Sequence, residues 1–211
     1  MIKVKVCGLT DPSNVKEIME AKPDFMGFIF YPGSPRYVGE YPEITLFDKV
    51  PSGIRKTGVF LNEDNQKIVV LANRFGLDIV QLHGNESPVA CFELKSSGLS
   101  VIKSFNIDME FGFDLLDRYA PCCDYFLFDS KSEAAGGSGR KFNWEKLEEY
   151  AKGKPFFLSG GIGPEDTELL NSVNNKYLFA VDINSRFETA PGIKDSCRVK
   201  TFINAIKKDQ L

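Results

Sequence analysis

Eight short apolar segments, separated by stretches of helical or turn character, constrain this chain more than anything else in it. They are Lys3–Cys7, Asp24–Phe30, Thr57–Leu61, Ile79–Leu82, Val101–Phe105, Tyr125–Asp129, Phe156–Leu158 and Leu178–Asp182. Each is short and reads as apolar on both faces, as strands of a covered parallel sheet do. Between them, Val15, Ile18 and Met19 recur at helical spacing, and Ile68, Leu71, Ala72 and Phe75 fill the i, i+3, i+4 and i+7 positions of one face. Val199, Phe202, Ile203 and Ile206 make a last helical stripe. Weaker helical signals cover Pro42–Val50, Glu86–Leu94, Phe111–Tyr119, Trp144–Tyr150 and Glu165–Leu170 behind Pro164.

Such alternation leaves two architectures, a closed (β/α)8 TIM barrel or an open doubly wound sheet. The even count of eight strands and the lack of a G-x-G-x-x-G turn after the first favour the α/β barrel with a parallel eight-stranded core. No stretch reads as an interdomain linker, so residues 1–211 are expected to form a single barrel domain. With 211 residues and 43% hydrophobic content the chain can bury a full core.

The net charge of −3, with both signs interspersed, argues against a nucleic-acid or anionic-membrane surface. No apolar run approaches the roughly 18 residues of a membrane span, and the N-terminus lacks a secretory apolar stretch. The expected location is cytoplasmic. Five cysteines and one histidine show no metal-site spacing. Cys91, Cys122, Cys123 and Cys197 are therefore expected to be small buried hydrophobes.

Barrel active sites lie at the C-terminal ends of the strands. There the chain places Cys7, Arg36, His83, Asp129, Gly160-Gly161 and the segment Asp182 to Arg186. On the first strand Lys3, Lys5 and Cys7 share one face while Val4 and Val6 take the other. A lysine one pleat below a thiol favours the thiolate by charge. Strands eight and one are neighbours in a closed barrel, so Asp182 is expected to pair with Lys5, since a lone buried lysine is costly.

Several of these segments together resemble the signatures of the phosphoribosylanthranilate isomerase family. They are K-V-C-G-L-T (5–10), G-F-I-F-Y-P-G-S-P-R-Y-V (27–38), V-Q-L-H-G (80–84), F-L-F-D-S (126–130), G-G-S-G (136–139), S-G-G-I (159–162) and A-P-G-I-K-D (190–195), and they fall in family order. The resemblance implies a (β/α)8 barrel of tryptophan biosynthesis, with no metal or organic cofactor. The implied reaction is the Amadori rearrangement of N-(5-phosphoribosyl)anthranilate to 1-(2-carboxyphenylamino)-1-deoxyribulose 5-phosphate. It assigns the general base to Cys7 and the general acid to Asp129. To hold its proton, Asp129 needs burial on its strand end or the substrate's negative charges.

Arg36 suits the anthranilate carboxylate, because a guanidinium fork matches a carboxylate bidentately. Gly160, Gly161, Ser185 and Arg186 are candidates for the phosphate. After strand eight the sequence departs from the family, with D-I-N-S-R-F-E where the usual form is closer to D-V-S-S-G-V-E. Arg186 replaces a glycine there, so a positive φ at that position is in question. His83 is a candidate substrate contact, and Gly136–Gly139 a candidate cover over the sugar. The expected partner is a small-molecule substrate, with no nucleic acid and no membrane, in a monomer or homodimer. Two rival readings use the same barrel. One is a Schiff-base lyase with Lys103 as nucleophile; the other binds a phosphosugar without catalysis.

Overall fold

The apolar segments form eight parallel strands in the computed structural model, which describes residues 2–130 and 144–208. They are β1 (Lys3–Cys7), β2 (Phe25–Ile29), β3 (Arg55–Phe60), β4 (Ile79–Leu82), β5 (Ser100–Ile107), β6 (Tyr125–Ser130), β7 (Phe156–Ser159) and β8 (Leu178–Ile183). They pair in chain order, and β8 closes the barrel on β1. Gly136–Gly139 lies outside the described residues, as therefore does its expected role as a cover.

Local chemistry accounts for the α-helices. In α1 (Pro12–Glu20) the Asp11 side chain accepts from the Asn14 N–H at 2.7 Å and proline takes the first turn. Asp64 caps α2 (Asn65–Phe75), which Gly76 ends in the left-handed conformation. Ser87 caps α3 (Pro88–Ser96). A short 3-10 turn, Pro164–Asp166, leads into α4 (Thr167–Ser172), and α5 (Ser196–Lys208) ends the fold.

Among the described residues, three connections expected to be helical carry 3-10 segments and no α-helix: Ile44–Leu46, Phe113–Arg118 and Trp144–Glu149. For the last two, the reason is visible in the spacing of what they bury. Phe113, Leu116 and Tyr119 recur every third residue, as do Trp144, Leu147 and Tyr150, and all six are buried. Three residues per turn is the 3-10 repeat, and side chains at i and i+3 then eclipse.

The two faces of the barrel wall have different compositions. Outward residues such as Val4, Val6, Met26, Phe28, Val80 and Leu82 pack against the helices. Inside, Phe25, Ile79, Ile102, Leu127, Phe157 and Ala180 make an apolar plug. Interleaved with that plug are buried polar side chains, Lys5, Thr57, Gln81, Ser104 and Asp182. The strands are thus apolar on both faces only in part, and the polar interior underlies the site.

Candidate active site

The register of β1 against β8 sets Lys5 opposite Asp182. The Lys5 ammonium donates to Asp182 Oδ2 at 2.6 Å and to Gln81 Oε1 at 2.6 Å, so the expected buried pair is present. Burial opposes the charge on Lys5, but Asp182 and Cys7 outweigh it and raise its pKa above the ordinary value.

Cys7 ends β1 opposite Gly27 of β2. A Cβ on Gly27 would lie 2.7 Å from the Cys7 Sγ, so the glycine makes the slot that the sulfur fills. Burial pushes the thiol above its ordinary 9.0, against the pull of Lys5 and Lys194 and with Asp182 adding to the rise. The expectation that Lys5 would favour the thiolate names the right contact, but desolvation wins and the resting side chain is a thiol.

Of the other cysteines, Cys91, Cys122 and Cys123 are buried as expected, whereas Cys197 is exposed. It sits on α5 away from the Val199–Phe202–Ile203–Ile206 stripe that faces the core. Iodoacetamide at neutral pH is therefore expected to label Cys197 first and to leave Cys7 largely unmodified, because the thiolate is the reactive form. Peptide mass mapping after brief labelling checks this. Equal rates at the two positions would contradict the protonation state given for Cys7.

A cavity of about 320 Å³ opens at the C-terminal ends of the strands. Cys7, His83, Asp129, Gly160, Gly161 and Ser185 all line it. His83 Nε2 lies 3.3 Å from Asp129 Oδ2, and both side chains are 30% exposed. Burial, one of the two expected sources of proton retention on Asp129, is therefore incomplete. Gly160 and Gly161 have φ of 104° and 66°, which only glycine adopts without strain, and they turn the chain out of β7 along the cavity wall.

Arg186 is not among the lining residues. Its guanidinium ion-pairs with Glu165 at 2.5 Å and is 53% exposed. Among the described residues only Lys22 and Asn62 combine a side chain with positive φ. Arg186 therefore needs no glycine-like backbone, and its cation is directed to Glu165 rather than into the cavity.

Arg36 also stands outside the cavity lining. Its Nε and Nη2 donate to the two Glu188 oxygens at 2.7 and 2.6 Å. Glu188 further accepts from Lys194 Nζ at 2.6 Å and from the Gly192 N–H at 3.1 Å. A small antiparallel hairpin, β9 (Glu188–Ala190) and β10 (Ile193–Lys194), presents these groups. Asn14 of α1 fixes the hairpin by hydrogen bonds to the Lys194 backbone N–H and carbonyl, each 2.8 Å. The side-on edge of the Arg36 fork, expected to grip a ligand carboxylate, is thus held by a protein carboxylate. Three of the five guanidinium N–H donors remain, two on Nη1 and one on Nη2, and they form an end-on edge.

Although burial alone would raise it, Glu188 is held down to about 2 by Arg36 and Lys194. A depressed carboxylate adds stability that is present above its ordinary 4.5 and is lost as pH falls toward about 2. Glu188→Gln is therefore expected to be less stable than the parent in urea at pH 5, with the gap closing as the pH approaches 2. A gap independent of pH across that window would contradict the assignment.

Comparison with known proteins places the chain. Residues 4–205 match the family model described as N-(5'phosphoribosyl)anthranilate (PRA) isomerase. The chain belongs to the phosphoribosylanthranilate isomerase family. It is 44% identical over 205 residues to N-(5'-phosphoribosyl)anthranilate isomerase of Phocaeicola vulgatus, an alignment covering 97% of this chain and 98% of that one. Phosphoribosyl anthranilate isomerase from Thermotoga maritima superposes with a TM-score of 0.86 at 33% identity, covering 98% of this chain and 99% of that one. A solved isomerase in complex with reduced 1-(o-carboxyphenylamino)-1-deoxyribulose 5-phosphate gives 0.85 at 31% identity, covering 98% and 99%. The (β/α)8 fold read from the sequence is the fold of this family.

Lys103, nucleophile of the rival lyase reading, does not enter this family's cavity. It pairs in register with Leu82 and Phe126, both of the outer core, and so points away from the barrel interior. Its ammonium donates to the carbonyls of Leu82, Gly84 and Ser104 and pairs with Glu86 at 3.1 Å. So enclosed by acceptors, and absent from the lining of the cavity that holds Cys7 and Asp129, it is not placed to attack a carbonyl substrate there. Sequence reasoning also passed over Gln81, Glu188 and Lys194. A glutamine in the middle of an otherwise apolar strand was the available signal for the first. The other two depend on a hairpin too short to announce itself.

Proposed function

We propose that this chain converts N-(5'-phosphoribosyl)anthranilate to 1-(2-carboxyphenylamino)-1-deoxyribulose 5-phosphate in tryptophan biosynthesis, with Cys7 as general base and Asp129 as general acid. The observation that carries the reading is one cavity, in a member of this family, that holds a thiol and a carboxyl from opposite parts of the barrel wall. Asp129 protonates the furanose oxygen as the C1–O bond breaks, and the anilino nitrogen lone pair forms the C1=N bond. Cys7, as thiolate, then takes the C2 proton, giving an enolamine that becomes the ketose when C1 gains a proton and the C2 hydroxyl loses its own, so that the C2=O bond forms. Because burial favours the thiol, the base form is a minor species that Lys5 and Lys194 help to populate.

Gly160, Gly161 and Ser185 fit the phosphate end, since they line the cavity together. The anthranilate carboxylate is assigned to the end-on edge of Arg36, because Glu188 holds the other edge. Arg186 is assigned no direct phosphate contact. The whole 1–211 chain is taken to work as one barrel, as monomer or homodimer in the cytoplasm. Among the described residues no helix is long and apolar enough to cross a membrane.

The purified chain should isomerise freshly made phosphoribosylanthranilate and should restore growth without tryptophan to a strain lacking this step. A well-folded preparation that turns over none of the substrate would sink the proposal.

A further inference from the structure

The geometry assigns to Lys5 and Gln81 a role as positioning residues: together they fix the tautomer of His83, so that its Nε2–H faces Asp129. The derivation needs only donor and acceptor chemistry. An ammonium can donate but not accept. The Lys5 contact at 2.6 Å therefore requires the oxygen of the Gln81 amide, not its nitrogen. With the oxygen so fixed, the amide NH2 is the end that lies 3.0 Å from His83 Nδ1. Both amide hydrogens belong to a donor, so Nδ1 must be the accepting, unprotonated nitrogen. The imidazole proton is then on Nε2, the atom 3.3 Å from Asp129 Oδ2.

Burial makes this chain of constraints stiff. Lys5 is fully buried and Gln81 is 2% exposed, so reversing the amide would set two donors against each other with little water to intervene. The Lys5 charge that starts the sequence is itself fixed by Asp182 at 2.6 Å. A closed ion pair in the barrel interior thus decides which nitrogen of a partly buried histidine carries a proton. The consequence rests on the acid role proposed for Asp129: a donor presented to Oδ2 reserves Oδ1 for the proton delivered to substrate. The 3.3 Å spacing is long for a hydrogen bond, as catalytic contacts often are before substrate closes the site.

His83 is the sole histidine of the chain, so the tautomer is directly measurable. Protein labelled with 15N-histidine shows one pair of ring nitrogens, and long-range 1H–15N correlation at mildly alkaline pH identifies which is protonated. The expected result is Nε2 protonated and Nδ1 bare. In Gln81→Glu a carboxylate accepts from Nδ1–H, so the tautomer should switch, and kcat should fall about 10²-fold with KM little changed. Gln81→Leu, which adds no charge to the interior, should keep Nε2 protonated, since Asp129 Oδ2 still faces it, and should lose less kcat than Gln81→Glu, again with KM little changed. A parent protonated on Nδ1, a Gln81→Glu variant that keeps the parent's tautomer, or a switched tautomer with unchanged kcat would each overturn the assignment. A parent with the expected tautomer but no turnover would instead count against the isomerase reading, so the two failures are distinct.

Discussion

Asp182→Ala is expected to lower the folding free energy by about 3–5 kcal/mol, the usual cost of leaving one partner of a buried pair uncompensated. The Lys5 ammonium is fully buried, with Asp182 and Gln81 at 2.6 Å each and Cys7 beside it. Without Asp182 a buried cation in the barrel interior keeps no carboxylate, only the Gln81 amide oxygen and the Cys7 sulfur. Urea unfolding should show a midpoint lower by at least about 1 M with an unchanged slope. The double variant Lys5→Met/Asp182→Leu should recover most of that loss, because replacing a buried pair with apolar groups is often neutral or stabilising. Its catalysis should not recover, since Gln81 then has no cation to orient its amide. A loss below about 1 kcal/mol in the single variant, or a double variant as unstable as the single, would show that the pair does not carry the charge balance described.

The same pair shows how far a sequence can be read here. Parity on β1 and closure of the ring by β8 were enough to bring Lys5 and Asp182 together, because strand alternation and barrel topology are nearly rigid rules. Cys7, His83, Asp129 and the Gly160-Gly161 turn were legible for a similar reason, each lying at or just past the C-terminal end of a strand. Arg36 and Arg186 were legible as positions but not as contacts. Each lies on a loop, where the carboxylate that captures a guanidinium comes from far along the chain: Glu188 for Arg36 and Glu165 for Arg186. Charge balance was equally hidden. Lys5 beside Cys7 argues for a thiolate only until desolvation is counted, and desolvation depends on packing by residues such as Gly27 that the local sequence does not reveal. The helical segments failed in one instructive way. Phe111–Tyr119 and Trp144–Tyr150 read as helical, yet the buried side chains Phe113, Leu116 and Tyr119, and Trp144, Leu147 and Tyr150, recur at the spacing of three that suits a 3-10 turn.

Cys7→Ser and Asp129→Asn are each expected to lower kcat by about 10²–10⁴, the range that a positioned acid or base contributes, and they should do so at different steps. Serine fits the slot opposite Gly27, so the fold and KM should change little, but an alcohol is a far weaker acid than a thiol and offers almost no anion as base. Ring opening remains available to Cys7→Ser, and C2–H cleavage becomes its slow step. Substrate deuterated at C2 should therefore show a primary isotope effect in that variant. In Asp129→Asn the amide oxygen can still accept from His83 Nε2–H, so the histidine keeps its partner and the loss reports the missing proton. Ring opening is then slow and precedes C2–H cleavage, and the same deuterated substrate should show almost no isotope effect. An isotope effect of equal size in both variants would place the two side chains at one step, and full kcat in either would remove that residue from the chemistry. The contrast also separates this mechanism from passive binding of the phosphosugar, for which neither substitution would touch a bond to hydrogen.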